Sequence, residues 1–314
     1  MKITVFTPTY NRAYSLSRLY ESLKKQTFKD FEWLVVDDGS TDNTTDIIQR
    51  MINDSPFFKI QYIKTENGGK HRAINRGIEL ARGELFFLVD SDDWLPDDSL
   101  EYINQIEDGI PIEQKNNFAG IYGLKCHLNN EIIGRTFQGE KLDINFLQRN
   151  KYGISGDKAE VYYTRVLKQY HFPEIEEEKF LTERIVWDKI AYDGYLIRFF
   201  NHNVYYCEYL EDGLTHGGYV LYAKNPKQWA LAIHQDYQFG LMNWYHTSIQ
   251  IYIYYLYKKR TLDVKTMAKY LQCQPIVVRG AVALQKNIDI ARWILHRKVT
   301  IKSNVEAELL KIGK

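Results

Sequence analysis

The residues that most invite chemistry are three acids in four positions, Asp90, Asp92 and Asp93, with Ser91 between them. They close an apolar run, Leu85-Phe86-Phe87-Leu88-Val89, which reads as a strand buried on both faces, as in a parallel sheet. Carboxylates crowded at a strand end repel one another and need a compensating cation or polar ligand. A hard divalent ion held by carboxylate oxygens would meet that need and would also carry a phosphorylated substrate. The competing reading is a solvated acidic turn, since Asp suits turns and Trp94-Leu95-Pro96 follows. This stretch alone leaves both readings open.

Other candidates fall at similar places. Asp37-Asp38 closes the strand Phe31 to Val36, and Thr7-Pro8-Thr9 closes the strand Lys2 to Phe6. Lys70 follows a Gly68-Gly69 turn, where it would neutralise a diphosphate, touch a base or simply be solvated. An acidic stretch, Pro173 to Glu183, runs into an apolar helix through Ile185, Val186, Trp187 and Ile190. Within it, Glu176-Glu177-Glu178 reads as a solvated face, whereas Glu183 sits at the helix start. His216, beside Gly217-Gly218, is either a metal or diphosphate contact or an exposed loop residue.

The elements that must position these residues alternate. Helices are expected over about 16–26, through Ile47 and Ile48, and over about 70–82 ending at Gly83, with strands between them, including Lys59 to Lys64. The order β-α-β-α-β-α-β predicts an α/β fold with a mostly parallel sheet and helices on both faces. Ligands of such sheets lie beyond the carboxyl ends of the strands, so the acids at 37–38 and 90–93 and Thr7-Pro8-Thr9 should converge. Further on, the pattern predicts a hairpin of strands over about 119–128 and 131–137, a helix over 142–150, a strand over 159–163 and an antiparallel pair within 195–209. From about Tyr222 the pattern is helical. The expected division is therefore a catalytic domain over 1–220 and a helical C-terminal region over 221–314 packing on it.

Composition narrows the class. Lys and Arg total 41 against 40 acids, so nothing overall calls for nucleic acid. The 3 cysteines are far apart and unpaired in sequence, which suits a reducing compartment. The N-terminus enters a strand directly, and no run of about 18 apolar residues is present, so a cytoplasmic protein is expected. The Tyr-rich segment 249–257, beside Lys258-Lys259-Arg260, reads as core packing or a homodimer contact, with peripheral membrane association as the lesser alternative.

Pro8-Thr9-Tyr10-Asn11-Arg12, Gln26-Thr27-Phe28, Val36-Asp37-Asp38-Gly39-Ser40-Thr41-Asp42, Asn75-Arg76-Gly77 and Asp90-Ser91-Asp92-Asp93 together resemble the family 2 glycosyltransferases, whose fold is called GT-A. The resemblance covers about residues 1–105; the match around 178–187 is looser, and the tail after about 220 has none. It implies inverting transfer of a sugar from a nucleotide-sugar, UDP by family habit, to a hydroxyl of a glycan or lipid-linked glycan, as in surface polysaccharide synthesis at the inner face of the membrane. It implies Mn2+ or Mg2+ on Asp92, with Asp90 facing the ribose or the metal and Asp93 as a further ligand. Asp38 would accept a hydrogen bond from the base, Asp37 would either orient the loop or reach the base or ribose, and Pro8, Thr9 and Ser91 would line the nucleotide. Glu183 matches the family's general base, although the family often has Asp there. Two rivals remain: a sugar nucleotidyltransferase, which would want a glycine- and lysine-rich loop after the first strand, and a non-catalytic nucleotide-sugar-binding protein.

Overall fold

A computed structural model of the chain describes residues 1–54, 56–208, 218–294 and 301–312. The chain divides into two compact units, one of Met1–Glu174 with Glu183–Leu210, the other of Ile175–Thr182 with Glu211–Lys314.

In the first unit β1 (Ile3–Thr9), α1 (Leu16–Lys25), β2 (Phe31–Asp37), α2 (Thr44–Asn53), β3 (Lys59–Lys64), α3 (Lys70–Leu80), β4 (Leu85–Leu88) and α4 (Ser99–Asp108) alternate. β5 (Phe118–Cys126), β6 (Lys141–Ile144), β7 (Lys158–Tyr163), α5 (Thr164–Leu167), α6 (Arg184–Tyr192) and β8 (Leu196–Tyr206) follow. The eight strands form one sheet in the order β3-β2-β1-β4-β7-β5-β8-β6. β3, β2, β1 and β4 are mutually parallel. Every position of β1, β2 and β4 is buried, as expected of strands covered on both faces. Close packing explains Gly77 on α3, where an added Cβ would lie 2.1 Å from the Phe6 ring.

The second half of the sheet departs from the sequence pattern. Residues 131–137 form no named strand and make only isolated bridges, such as Cys126 with Ile132. The expected helix over 142–150 is instead β6 followed by a 3-10 helix, Phe146–Tyr152. Asp143 on β6 lies opposite Arg198 on β8 and takes both its Nε and NH2 at 2.8 Å, a pairing across strands that helical periodicity does not foresee. The expected antiparallel pair within 195–209 is one long strand, β8, placed between β5 and β6 and hydrogen-bonded to both.

The second unit holds α7 (Gly218–Lys224), α8 (Pro226–Gln238), α9 (Trp244–Lys258), α10 (Val264–Tyr270), α11 (Pro275–Ile294) and α12 (Ile301–Ile312). The Tyr-rich segment is α9, and Ile251, Tyr252, Ile253, Tyr254, Leu256 and Tyr257 are buried in this unit's own core. Tyrosine hydroxyls reach partners at its edge, Tyr254 donating to the Pro226 carbonyl at 3.2 Å and Tyr257 to Glu308. Core packing is the reading that these side chains fulfil. Among the described residues no helix is long and apolar enough to cross a membrane.

Candidate active site

The parallel register brings Thr9 beside Asp37, and Asp37 beside Lys64, at the carboxyl edge of the sheet. The Val89 N–H donates to the Phe6 carbonyl at 2.9 Å, so Asp90 leaves the sheet at the same edge. The loops there are laced together. Asn11, at φ 52°, accepts the Thr41 N–H at 2.8 Å, while its own N–H donates to Ser40 Oγ at 2.8 Å. Asp37 Oδ1 accepts the Ser40 N–H at 2.7 Å, and its Oδ2 accepts the Tyr62 hydroxyl at 2.6 Å. Asp38 braces the glycine turn, its two oxygens accepting the N–H groups of Gly68 at 2.7 Å and Gly69 at 2.8 Å. Gly39 must be glycine: φ is +80°, and a Cβ would meet the Asn67 nitrogen at 2.7 Å. Thr9 Oγ1 is buried with no hydrogen-bond partner among the described residues, an orphan polar atom of the kind a polar ligand would satisfy.

The acidic turn is anchored from three sides. Ser15 occupies the N-cap position of α1 but makes no side-chain capping bond; its hydroxyl donates to the Ser91 carbonyl at 2.9 Å. The Arg18 guanidinium lies 3.8 Å from the centre of the Trp94 ring and donates to the Asp92 carbonyl. The Tyr205 hydroxyl accepts the Asp90 N–H at 2.9 Å and donates to Asp93 Oδ2 at 2.7 Å. Asp93 is thereby turned inward, 6% exposed. Burial, then the Asp90 charge, pushes its carboxyl up to about 7. Asp92 is more open, with Arg12 Nε 3.8 Å from its Oδ2. Burial and then the neighbouring Asp90 raise its pKa. Asp90 moves the other way: burial opposes its ionisation, but the Lys70 and Lys125 cations outweigh that and hold its pKa low.

These acids suit a hard cation only in part. Among the described residues no group of three or more potential ligands could hold a metal by itself. His216 lies outside the described residues. Asp92, with Asp90 beside it, matches the one or two carboxylates with which a protein typically holds Mg2+ when substrate phosphates supply further oxygens.

On the other side of Asp90 stands Lys70, the first residue of α3. Its ammonium is 2.7 Å from Asp90 Oδ1 and 3.0 Å from Glu183 Oε1. Burial disfavours this cation, yet the two carboxylates hold its pKa well above the ordinary lysine value. Glu183 is the residue before α6 and makes no side-chain capping bond to it. Asn75 on α3 pins the approach to this segment: its Oδ1 accepts the Phe172 N–H at 2.8 Å, and its Nδ2 donates to the Phe172 carbonyl and to Glu174. Glu178 is occupied elsewhere, its oxygens accepting the Lys227 and Gln228 N–H groups at the start of α8. Trp187 is core, stacked on Tyr162 at 4.4 Å.

Several groups here escaped the sequence reading. His71 is 1% exposed with both ring nitrogens unpartnered among the described residues; burial, then Arg72, lowers its pKa to about 4. Burial raises Glu160 on β7 to about 8, partly offset by Lys125 and reinforced by Glu183. Lys125 on β5 lies 4.1 Å from the Tyr205 ring centre. Nothing in the local pattern marks Glu160, Lys125 or Tyr205, because strand order brings them here; His71, adjoining Lys70 in a helix's first turn, did carry a local signal.

This sheet, with its acidic strand ends, defines the GT-A class. A solved structure of Staphylococcus aureus TarS residues 1–349, in complex with UDP-GlcNAc, has a TM-score of 0.60 at 21% identity, covering 99% of this chain and 92% of that one. Residues 4–106, about a third of the chain, match the model for glycosyl transferase family 2. An uncharacterized glycosyltransferase of Nostoc is 43% identical over 97 residues, 31% of this chain and 30% of that protein. The Campylobacter jejuni GalNAc(5)-diNAcBac-PP-undecaprenol beta-1,3-glucosyltransferase is 28% identical over 195 residues, 59% of this chain and 58% of that one. The chain thus matches 30% and 58% of the length of these two relatives.

Proposed function

We propose that this chain transfers a sugar, with inversion, from a nucleotide-diphosphate sugar to an acceptor hydroxyl. One observation carries the reading: a strand-end acid, Asp90, and a helix-start acid, Glu183, meet across one ammonium at 2.7 and 3.0 Å. A donor-side acid and a base candidate are thus gathered at one site, as transfer between a bound donor and an acceptor hydroxyl needs. Glu183 takes the proton of the acceptor hydroxyl, and that oxygen forms the new bond to the anomeric carbon. The bond from that carbon to the phosphate oxygen breaks, and the nucleoside diphosphate leaves with the electron pair. Mn2+ or Mg2+ on Asp92 and Asp90 would stabilise the charge gathering on the diphosphate. Thr9, with Pro8, Asp37, Asp38 and Ser91, would receive the nucleotide; the orphan Thr9 hydroxyl supports a polar ligand at this edge.

UDP is the preferred nucleotide, consistent with the UDP-GlcNAc complex of the TarS fold relative. A glycan or lipid-linked glycan is the preferred acceptor, consistent with the undecaprenol-linked substrate in the Campylobacter relative's name. Such a reaction belongs at the cytoplasmic face of a membrane. The test is a screen of UDP- and GDP-sugars for binding and for nucleotide release, with and without Mn2+. Turnover of one donor, lost with EDTA, is expected. Binding without turnover would favour a non-catalytic nucleotide-sugar-binding protein, and neither binding nor turnover would end the transferase reading.

A further inference from the structure

Among the described residues, Lys70 is the one side-chain partner of Glu183. The Glu183 side chain is 31% exposed, so this ion pair is the contact that selects its rotamer. Lys70, by contrast, is held from behind. It follows Gly69, whose φ of 99° no ordinary residue adopts readily, and the Gly68 and Gly69 N–H groups are clamped by the two oxygens of Asp38. Its forward reach is set by Asp90 at 2.7 Å. The ammonium therefore has a defined place, and the Glu183 carboxylate is oriented against it.

We infer that Lys70 is the positioning residue of the general base: it orients Glu183 toward the acceptor hydroxyl, from a turn braced by Asp38. This rests on the reading of Glu183 as the base. It differs from a lysine that merely neutralises the donor diphosphate. A diphosphate contact acts on donor affinity, whereas a residue acting through Glu183 acts on turnover and only while Glu183 is present.

The experiment is a double-mutant cycle on the full chain, comparing Lys70→Met, Glu183→Gln and the pair, with Lys70→Arg as the conservative variant. UDP release from the sugar donor found by the screen gives kcat and KM, and calorimetric titration with UDP and Mn2+ gives donor-site affinity. Lys70→Met should lower kcat about 10–100-fold, the size of effect seen when an orienting partner is removed, while UDP affinity changes by less than about threefold. Lys70→Arg should recover most of the loss. In the Glu183→Gln background, Lys70→Met should cost less than about twofold more, because the two residues act as one unit. A full additional loss in that background would overturn the inference, as would a fall in UDP affinity matching the fall in kcat. If Glu183→Gln itself kept full kcat, the base assignment would fail, and the Lys70 inference with it. A Lys70→Met chain that still binds UDP is folded, so loss of turnover in it cannot be ascribed to unfolding.

Discussion

The proposed donor side of this site, at 90–93, and its proposed acceptor side, at Glu183, are built differently. The acidic turn at 90–93 is tied to Ser15, Arg18 and Tyr205, which reach it from α1 and β8. Glu183 is tied to a single ammonium. The donor-side acids are preorganised by several bonds, none of which decides the geometry alone. The base candidate depends on one bond, made to a residue that also faces the donor acids. An acceptor-side acid held at one point can be reoriented as substrates arrive; a charge-bearing turn for a diphosphate gains from being rigid before the donor binds.

If that contrast is right, substitutions on the two sides should separate turnover from donor binding. The largest effect is expected for Glu183→Gln, which should lower kcat by about 10²–10⁴-fold, the usual worth of a general base, with calorimetric affinity for UDP and Mn2+ preserved. Loss of UDP binding in this variant would erase the division into sides. Asp92→Asn should lower turnover by about 10²–10³-fold and shift the Mn2+ titration to higher concentration, since the turn then offers one anionic oxygen pair fewer. An unchanged Mn2+ requirement would move the cation elsewhere.

Tyr205→Phe tests the rigidity of the donor side. It leaves the buried Asp93 carboxyl and the Asp90 N–H without their shared hydroxyl, a loss of about 1–3 kcal/mol, readable as a lower unfolding midpoint. Donor KM should rise with it, and KM at the parent value would show that the turn does not need this brace.

The smallest effects are expected from pH. His71 is lowered from 6.5 to about 4 in the folded chain, so below 6.5 the unfolded chain binds the proton more readily. Its contribution to stability is complete above 6.5 and is lost as pH falls toward 4. Glu160 is raised from 4.5 to about 8, so its contribution is complete below 4.5 and is lost as pH rises toward 8. Each contributes a slope of at most about 1.4 kcal/mol per pH unit. Calorimetric midpoints against pH should flatten on the acid side in His71→Gln and on the alkaline side in Glu160→Gln. A parent-like curve in either variant would remove that group from the balance.

The first half of the chain was largely legible. Its strands are buried on both faces and so near-continuously apolar, its helices carry a clear period, and its acids stand at strand ends where parallel topology must gather them. Asp143 shows why the later strands were not: a short K-L-D-I run is ambiguous between helix and strand until Arg198 is placed opposite it. Likewise Tyr205 is one aromatic among many until β8 lies where its hydroxyl can join Asp90 and Asp93.

By itself the sequence determined the parallel α/β half, the place of the acidic turn and the candidacy of Glu183, because each is written in local periodicity and in charge at element ends. Only the tertiary structure decided that Asp93 faces inward, that Asp38 braces the glycine turn, and that Lys70 joins Asp90 to Glu183. Those are contacts between residues about 20 to more than 110 positions apart, and a through-space bond of that kind leaves no periodic mark in the chain.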